Sequence, residues 1–177
     1  MDENMYWIWI SRMEHLTFEC FDMLVKKYGC LKSLWNISRE MLFTNTFCSL
    51  DDIKDILCKE YKENLVKYMN YLKKYNIKII NCYSREYPIK LKFIENRPIV
   101  LYVMGSIDCI NNESIAIVGS RMCTKYGMKN ARLFSSELAK RNVNVVSGLA
   151  KGIDAVAHSS CIEVGGKTIA VVGHRIR

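Results

Sequence analysis

The stretch that decides the fold begins with the run Ser114-Ile115-Ala116-Ile117-Val118-Gly119-Ser120-Arg121. A second run reads Val143-Asn144-Val145-Val146-Ser147-Gly148-Leu149-Ala150-Lys151-Gly152-Ile153-Asp154. Short apolar runs that are rich in valine and isoleucine and bounded by glycine are typical of parallel strands buried on both faces. The sequence between the two runs has helical character, so the stretch predicts a strand, a helix and a second parallel strand. A third strand is predicted from Thr168 to Gly173.

Each of the first two predicted strands ends in a glycine-bearing loop that leads into a helix. Open α/β sheets bind ligands at the carboxyl ends of their strands, and N–H groups at the following helix N-termini favour an anion. Gly119 allows close approach of the backbone, and Arg121 carries a planar fork of donors suited to phosphate oxygens. We therefore expect a phosphate-binding face. Thr124 is predicted to cap the next helix, with an inward face made of Ala131, Phe134 and Leu138.

Basic residues are concentrated around these loops. Between residues 121 and 151 a single acidic residue, Glu137, accompanies seven basic ones: Arg121, Lys125, Lys129, Arg132, Lys140, Arg141 and Lys151. The formal net charge of the chain is +8, and residues 81–177 hold 14 basic and 7 acidic residues. A basic helix face alone is more often simply solvated. Here the basic face leads away from an arginine-bearing loop, which favours a polyanionic partner.

Two common nucleotide-binding fingerprints are missing from the loops. Gly119 is followed by Ser120 and Arg121, and the next glycine is Gly127, so the dinucleotide motif G-x-G-x-x-G is absent. The Walker pattern is absent as well. The expected ligand is therefore neither a nicotinamide dinucleotide nor ATP in a P-loop, and no cofactor is expected.

Several motifs resemble DNA processing protein A, the DprA/Smf family. They are Gly119-Ser120-Arg121 with Tyr126-Gly127, residues 147–158, residues 165–173, and the upstream segments 87–91 and 97–105. Residues 147–158 are the most specific of these, and the resemblance extends over nearly the whole chain. It implies an α/β fold in which an N-terminal helical domain of sterile-alpha-motif type precedes a Rossmann-like parallel sheet.

The resemblance also implies a function. Members of this family are cytoplasmic proteins that bind and protect single-stranded DNA and help to load the RecA recombinase during natural transformation. The family dimerises through the later part of its sheet. For this chain we expect no membrane partner and no catalytic activity. By resemblance, the DNA phosphates would be held by Gly119, Ser120, Arg121, Thr124, Lys125, Gly127, Ser147, Gly148, Ala150, Lys151 and Gly152.

The family pattern continues beyond the third predicted strand, with another glycine-containing loop, further strands and often a small C-terminal domain. The printed sequence ends at Arg177. We therefore expect a chain that is truncated within its Rossmann-like domain. Such a sheet has an unpaired edge and poorly covered apolar faces, which bears on dimerisation, RecA contact and part of the DNA site.

Residues 1–76 are predicted to form the helical domain, and residues 77–177 the incomplete Rossmann-like domain. Thr17 and Ser49 are predicted to begin helices, and Gly29 to end one. The helix after Ser49 is predicted to be long and amphipathic, with an inward face made of Ile53, Ile56, Leu57, Tyr61, Leu65, Tyr68 and Leu72. Two further strands are predicted at 77–82 and 99–104. Aromatic residues of the helical domain are predicted to be core rather than base-stacking groups.

Eight cysteines stand at positions 20, 30, 48, 58, 82, 109, 123 and 161, with no C-x-x-C pair. Reduced thiols are expected, and the spacing does not indicate zinc. Cys123 lies in the first predicted loop, where an incidental small residue is favoured over a reactive thiol. The N-terminus is acidic, and the apolar run Tyr6–Ile10 is too short to span a membrane or direct export.

Three alternatives remain open at this stage. Asp154 and His158 lie four residues apart and could form an acid/base pair, although structural roles are favoured. The Rossmann-like pocket could belong to a phosphoribohydrolase-like enzyme. Against this, Gly165-Gly166-Lys167-Thr168 lacks the preceding proline and the following glutamate of the Pro-Gly-Gly-x-Gly-Thr-x-x-Glu loop that such enzymes carry. The chain could also be an inactive truncated remnant.

Overall fold

The computed structural model describes residues 2–173. The chain divides into two compact units, Met1–Ile107 and Asp108–Arg177. The domain boundary was predicted after residue 76, where the chain changes from helix to strand. The boundary between the two compact units lies later, after Ile107, because the strand pair that follows residue 76 packs with the first unit.

The first unit begins with six α-helices. They are α1 (Glu3–Ser11), α2 (Phe18–Tyr28), α3 (Leu31–Trp35), α4 (Arg39–Phe43), α5 (Leu50–Leu57) and α6 (Leu65–Lys74). The predicted caps are confirmed: Thr17 Oγ1 accepts the Cys20 N–H at 3.2 Å, and Gly29 ends α2 with φ 86°. Ser49 and Asp52 form a reciprocal capping box at the start of α5. Each cap satisfies backbone groups that have no partner inside the helix.

The single long helix predicted after Ser49 is wrong. The segment forms α5, a short 3-10 helix at Glu60–Lys62 and then α6, with Asn64 in the left-handed region at φ 56°. The Arg12 guanidinium explains the interruption, because it donates to Tyr61 O at 3.2 Å and to Glu63 O at 2.7 Å. These carbonyl groups are thereby satisfied without continuing the helix.

Aromatic residues of α1 and α2 form much of the core of the first unit, as predicted, whereas Phe43 is 50% exposed and Tyr75 is 45% exposed. Tyr6 to Ile10 are all buried, and Trp9 packs edge-on against Trp35 with ring centroids 5.1 Å apart. Phe18 and Phe21 are also buried. Such edge-to-face pairs stabilise a core beyond their burial of apolar area. The aromatic rings of α1 and α2 are therefore structural.

Two strands complete the first unit, β1 (Ile77–Asn81) and β2 (Val100–Met104), close to the predicted positions. They pair antiparallel, from Ile77 opposite Met104 to Asn81 opposite Val100. They pack against α1 and α6, and Ser11 Oγ lies 2.6 Å from Tyr102 Oη. The antiparallel pair forms a sheet of its own, separate from the parallel strands of the second unit.

The second unit is a three-stranded parallel sheet with two crossover helices, which confirms the predicted fold class. Its elements are β3 (Ser114–Ala116), α7 (Lys125–Lys140), β4 (Asn144–Ser147), α8 (Ile153–Glu163) and β5 (Thr168–Ala170). The strands lie in the order β3-β4-β5, with Ala116 beside Val146 and Val146 beside Ile169. Its core comprises Ala139, Val145, Ala157 and Cys161, with Ile117 and Leu138 packed against it.

The predicted inward face of α7 needs one correction. Ala131 is buried as predicted, but Phe134 is 60% exposed, and the buried positions are instead Ser135 and Ala139. Ser135 Oγ donates to Ala157 O of α8 at 2.5 Å. Small side chains on this face let α7 and α8 approach closely, which leaves no room for a phenyl ring.

The opposite face of the sheet carries apolar side chains that the described residues leave partly uncovered. Ala116, Val146 and Ile169 lie side by side on it, since they are register partners one residue away from the buried Val145. Beyond the strand ends, Val118 is 69% exposed and Val171 61% exposed.

Candidate functional site

The two predicted glycine loops contact each other. Loop 1 (residues 117–124) joins β3 to α7, and loop 2 (residues 148–152) joins β4 to α8. The Ile153 N–H donates to Ser120 O at 3.2 Å. Gly152 has φ 86° and ψ −127°, and a Cβ there would overlap Ser120 O and lie 2.7 Å from Arg121 O. Only glycine fits this position, so the close approach of the loops depends on Gly152.

The side chain of Ile153 occupies the space that two further glycines leave open. A Cβ on Gly119 would lie 2.7 Å from Ile153 Cγ1, and one on Gly127 would lie 3.3 Å from Ile153 Cδ1. The first turn of α8 therefore packs directly on loop 1 and on the start of α7. Gly119 and Gly127 serve this packing, a role that the sequence analysis did not assign to them.

Asp154 holds the backbone of both loops. Its carboxylate is buried at 6% exposure, and Oδ1 accepts the Gly119 N–H of loop 1 at 3.3 Å. Oδ2 accepts the N–H groups of Gly148 at 3.1 Å and Ala150 at 3.4 Å in loop 2. Three N–H groups that were expected to face phosphate thus face a carboxylate of the protein itself. A buried carboxylate requires donors of this kind to offset its loss of hydration.

The hydroxyl groups among the predicted site residues are also engaged within the loops. Ser147 is buried, and its Oγ donates to Ile117 O at 2.7 Å. Ser120 Oγ donates to Met122 O at 2.9 Å and accepts the Met122 N–H at 3.1 Å. Thr124 Oγ1 caps α7 by accepting the Gly127 N–H at 3.1 Å, as predicted. These side chains fix the shape of the loops.

Loop 2 includes a non-glycine residue in the left-handed region. Leu149 has φ 58°, and its side chain is 63% exposed. This conformation costs a γ-branched residue about 1 kcal/mol or more. Both flanking N–H groups, those of Gly148 and Ala150, bind Asp154, and these bonds hold the backbone in its strained conformation.

The cationic side chains that remain available are at the surface of the two loops and the start of α7. Arg121, Lys125, Lys129 and Lys151 are all exposed. Within residues 2–173 none of these four forms an ion pair. Since the Arg121 backbone lies against Gly152, the Arg121 and Lys151 side chains start from neighbouring points of the two loops.

Other basic residues of α7 are paired with carboxylates. Arg132 Nη1 lies 3.1 Å from Glu163 Oε2, and Lys140 Nζ lies 2.8 Å from Glu137 Oε1. The bond from Lys140 holds the pKa of the Glu137 carboxyl below its ordinary value. The positive face of α7 is therefore strongest at its N-terminal end, next to loop 1.

Exposed apolar side chains accompany the cations. Met122 of loop 1 is 93% exposed, and Tyr126 in the first turn of α7 is 78% exposed. Neither side chain is among the predicted site residues. Met122 could have been found from the sequence. It is a large apolar residue that belongs to no helical or strand period and lies in a loop already expected to bind a ligand.

Asp154 and His158 do not form an acid/base pair. His158 is buried, and its Nδ1 lies 2.6 Å from Thr168 Oγ1. Thr168 Oγ1 donates to Val145 O at 2.7 Å, so the hydroxyl accepts from His158 and places the imidazole proton on Nδ1. All three hydrogen bonds of Asp154 come from loop N–H groups. The structural roles favoured for both residues are those that the structure shows.

Within residues 2–173, no three histidine, cysteine or acidic side chains come together in a way that could hold a metal ion. No helix between residues 2 and 173 combines the length and the apolar character needed to cross a membrane. Cys123 is a free thiol of intermediate exposure, and its interpretation as an incidental small residue stays a prediction.

Comparison with known proteins gives relatives along the whole chain. The chain is 30% identical to Protein Smf of Synechocystis sp. over 175 residues, which are 97% of this chain and 44% of that relative. It is 36% identical to Protein Smf of Escherichia coli over 113 residues, 64% of this chain and 30% of that protein. DNA processing protein DprA of Streptococcus pneumoniae is 44% identical over 87 residues, 49% of this chain and 30% of that protein. The chain thus spans less than half the length of these relatives.

A solved structure supports the fold. The X-ray structure of DNA processing protein A from Streptococcus pneumoniae matches with a TM-score of 0.68 and 24% identity, over 98% of this chain and 58% of that one. A family model described as DNA recombination-mediator protein A matches residues 78–177. Since that match covers more than half of the chain and the Synechocystis relative matches nearly all of it, the chain belongs to the DNA recombination-mediator protein A family, whose members are named DprA or Smf.

Proposed function

We propose that this chain binds single-stranded DNA through the surface formed by loop 1, loop 2 and the start of α7. One observation carries the proposal. Arg121, Lys125, Lys129 and Lys151 are exposed and unpaired within the described residues, around the point where the two loops touch. A group of cations on a rigid, glycine-packed support fits a phosphate backbone.

We expect the main phosphate contacts to come from side chains, because several loop N–H groups already have partners within the protein. Gly119, Gly148 and Ala150 already donate to Asp154, and the Gly127 N–H donates to Thr124. Phosphates are therefore held chiefly by guanidinium and ammonium groups. Such binding carries little sequence preference, because it reads charge and not base edges.

Exposed apolar groups beside the cations favour a single strand over a duplex. Tyr126 and Met122 offer exposed surfaces on which unpaired bases can stack. Stacking on an aromatic ring contributes about 1–3 kcal/mol per base and is available to every base. Duplex DNA keeps its bases stacked on each other and gains nothing from these side chains.

The family resemblance supports a further proposal about the cellular role of this chain. We place the chain in the cytoplasm, with RecA loading and homodimerisation as further parts of its role in DNA uptake. Among the similar proteins, those of Streptococcus pneumoniae and Bacillus subtilis are named DNA processing protein DprA. The proposed activity is binding and handover of DNA, without a chemical step.

A fluorescence-anisotropy titration tests the proposal directly. A labelled single-stranded oligonucleotide is titrated with the protein at several salt concentrations, and unlabelled duplex and a nucleoside monophosphate serve as competitors. Four phosphate contacts predict a slope of log K against log salt of about −3 for single-stranded DNA. We expect the unlabelled single strand to compete better than the duplex.

The competitors separate the alternatives. Displacement by the nucleoside monophosphate alone would contradict DNA binding and favour a nucleotide-binding enzyme. No binding by a protein that unfolds cooperatively would show that these residues do not suffice for a DNA site. A RecA strand-exchange assay on DNA coated with a single-strand-binding protein then tests the loading step, with stimulation by this chain as the expected result.

A further inference from the structure

Two cysteines of the first unit lie close together in space. Cys20 Sγ, in the first turn of α2, is 2.9 Å from Cys48 Sγ, in the segment between α4 and α5. Both are free thiols. A disulfide needs a sulfur–sulfur distance of about 2.05 Å, so the two atoms are roughly 1 Å from bonding distance.

A buried carboxylate fixes the backbone on both sides of this pair. Asp52 is 3% exposed; its Oδ1 accepts the Thr17 N–H at 3.4 Å, and its Oδ2 accepts the Ser49 N–H at 2.8 Å. Thr17 caps the helix turn that holds Cys20, and Ser49 directly follows Cys48. One side chain thus anchors the N-cap of α2 and the N-cap of α5 at the same place. The approach of the two sulfur atoms is therefore a consequence of the capping geometry.

The segment before Cys48 has a second anchor. Asn45 is buried, accepts from Lys27 Nζ at 2.7 Å and donates to Leu42 O at 2.9 Å. The Cys48 N–H donates to Asn45 O at 3.2 Å. Cys48 therefore lies on a turn that is held from both ends, by Asn45 and by Ser49.

From this arrangement we propose that Cys20 and Cys48 form a reversible intrachain disulfide when the protein meets an oxidising low-molecular-weight disulfide. The bond closes a covalent ring over residues 20–48, which comprises α2 from Cys20 onward, α3 and α4. Intracellular disulfides of this kind are typically transient and responsive to redox state. The proposal is independent of DNA binding by the second unit.

The exchange proceeds in two steps. The Cys48 thiol loses its proton to water, and its thiolate attacks one sulfur of the small disulfide, which forms a mixed disulfide and releases one small thiolate that takes up a proton. Cys20 then loses its proton to water and attacks the Cys48 sulfur, and the second small thiolate leaves and takes up a proton. Two protein thiols are oxidised by two electrons, and the small disulfide is reduced to two thiols.

Exposure and nearby charges indicate which cysteine reacts first with the small disulfide. Cys20 is 2% exposed, whereas Cys48 is of intermediate exposure and accessible to a small oxidant. Burial raises the pKa of both thiols, that of Cys20 most strongly, and Cys48 and Asp52 raise the Cys20 pKa further. At Cys48 the hydrogen bond with Cys20 and the charge of Lys27 oppose the increase in pKa, while the charge of Asp52 adds to it. Cys48 is therefore the attacking thiol and Cys20 the resolving one.

The test is oxidation of the full chain under native conditions by glutathione disulfide, followed by acid quenching, alkylation of free thiols, digestion and mass spectrometry. We expect a cross-linked peptide that joins Cys20 to Cys48 and is more abundant than any other cysteine pair. Excess reduced glutathione is expected to remove it. In Cys20→Ser, glutathione is expected to accumulate on Cys48, because no resolving thiol is present. Cys58→Ser, in the same unit, is the matched control and keeps the cross-link.

A physical readout accompanies the chemical one. All three tryptophans, Trp7, Trp9 and Trp35, lie in the first unit, so their fluorescence reports its unfolding. We expect the oxidised protein to unfold about 10 °C higher than the reduced one, because the ring restricts the unfolded chain. Glutathione retained on Cys48 of the unmutated chain, or pairing with Cys20 no more frequent than in denaturant, would overturn the proposal.

Discussion

Asp154 Oδ1 accepts a hydrogen bond from the backbone N–H of Gly119 at 3.3 Å, across the gap between the two loops. The second oxygen of the same carboxylate binds Gly148 and Ala150. One side chain in the first turn of α8 thus determines the relative position of loop 1 and loop 2. The candidate DNA surface depends on this contact, because its cations lie on both loops.

Replacement of Asp154 is expected to destabilise the second unit. Asp154→Ala leaves three loop N–H groups without an acceptor, and we expect a loss of about 3 kcal/mol in the free energy of unfolding. Asp154→Asn keeps one oxygen and is expected to lose less. Urea denaturation followed by far-UV circular dichroism measures both. The control Glu137→Ala removes an exposed carboxylate of α7 and is expected to change stability by no more than about 0.5 kcal/mol.

Alanine variants of Gly152 and Gly165 distinguish the cost of backbone strain from the cost of steric overlap. Both have positive φ, 86° and 76°, but a Cβ at Gly165 meets nothing within 4 Å, whereas one at Gly152 meets Ser120 O and Arg121 O. Gly165→Ala is expected to cost about 1 kcal/mol. Gly152→Ala is expected to cost at least about 3 kcal/mol, since the loops must separate. Equal losses in thermal or urea denaturation would show that loop contact adds nothing to the strain.

Arg121 and Lys140 offer a matched test of the DNA surface. Arg121 is unpaired on loop 1, while Lys140 binds Glu137 at the far end of α7. Arg121→Ala is expected to weaken single-stranded DNA binding about tenfold and to reduce the salt slope by about 1. Lys140→Ala is expected to change affinity by less than about twofold. Equal losses in the anisotropy titration would mean that the loops are not the focus of binding.

The first unit is expected to lose stability at alkaline pH. Burial raises the pKa of the Cys82 thiol to about 11, from an ordinary value of 9.0. Its contribution to stability is therefore complete below pH 9.0 and is lost as the pH rises towards about 11. Burial also raises the pKa of Tyr87, to about 12, which extends the loss.

Cys82→Ala is expected to flatten the decline in stability between these pH values. Urea denaturation followed by tryptophan fluorescence measures the slope at several pH values. Ile80→Val, on the neighbouring strand β1, is the control, because it removes buried volume without a titrating group. It is expected to lower stability by a similar amount at every pH. An unchanged slope in Cys82→Ala would show that another group determines the alkaline loss.

The strands and caps could be predicted because their causes are local. Glycine-bounded runs of valine and isoleucine became β3 and β4, and the cap residues Thr17, Ser49 and Thr124 bind N–H groups within three residues of themselves. These signals are short in sequence and depend little on the rest of the fold.

The interrupted helix after Ser49 could not be predicted, because its cause lies far away in sequence. The break depends on the guanidinium of Arg12, the residue that follows α1, which donates to Tyr61 O and Glu63 O. No proline or glycine occurs between residues 50 and 74, so the sequence carries no local signal for a helix break. The exposure of Phe134 has a similar origin, since the close packing of α7 on α8 through Ser135 and Ala157 decides it.

The positions of the two loops could be predicted, but the contacts between them could not. The sequence predicts phosphate contacts at Gly119, Gly127 and Gly152, and the structure adds that their missing side chains make room for Ile153 and for the Ser120 carbonyl. The reach of Asp154 into loop 1 spans 35 residues of sequence, which a local pattern does not show. The assignment of these residues to DNA phosphates stays a prediction.

The contact between Gly152 and Ser120 has a consequence for how this surface can change during evolution. The positions that build the support, Gly119, Gly152 and Ile153, tolerate little variation, because Ile153 fills the space that Gly119 leaves open and the Gly152 backbone lies against Ser120 O. Arg121, Met122, Leu149 and Lys151 project from that support towards solvent. Their chemistry can diverge between relatives without disturbing the framework. Ligand preference and fold stability can thus be selected separately in one short stretch of chain.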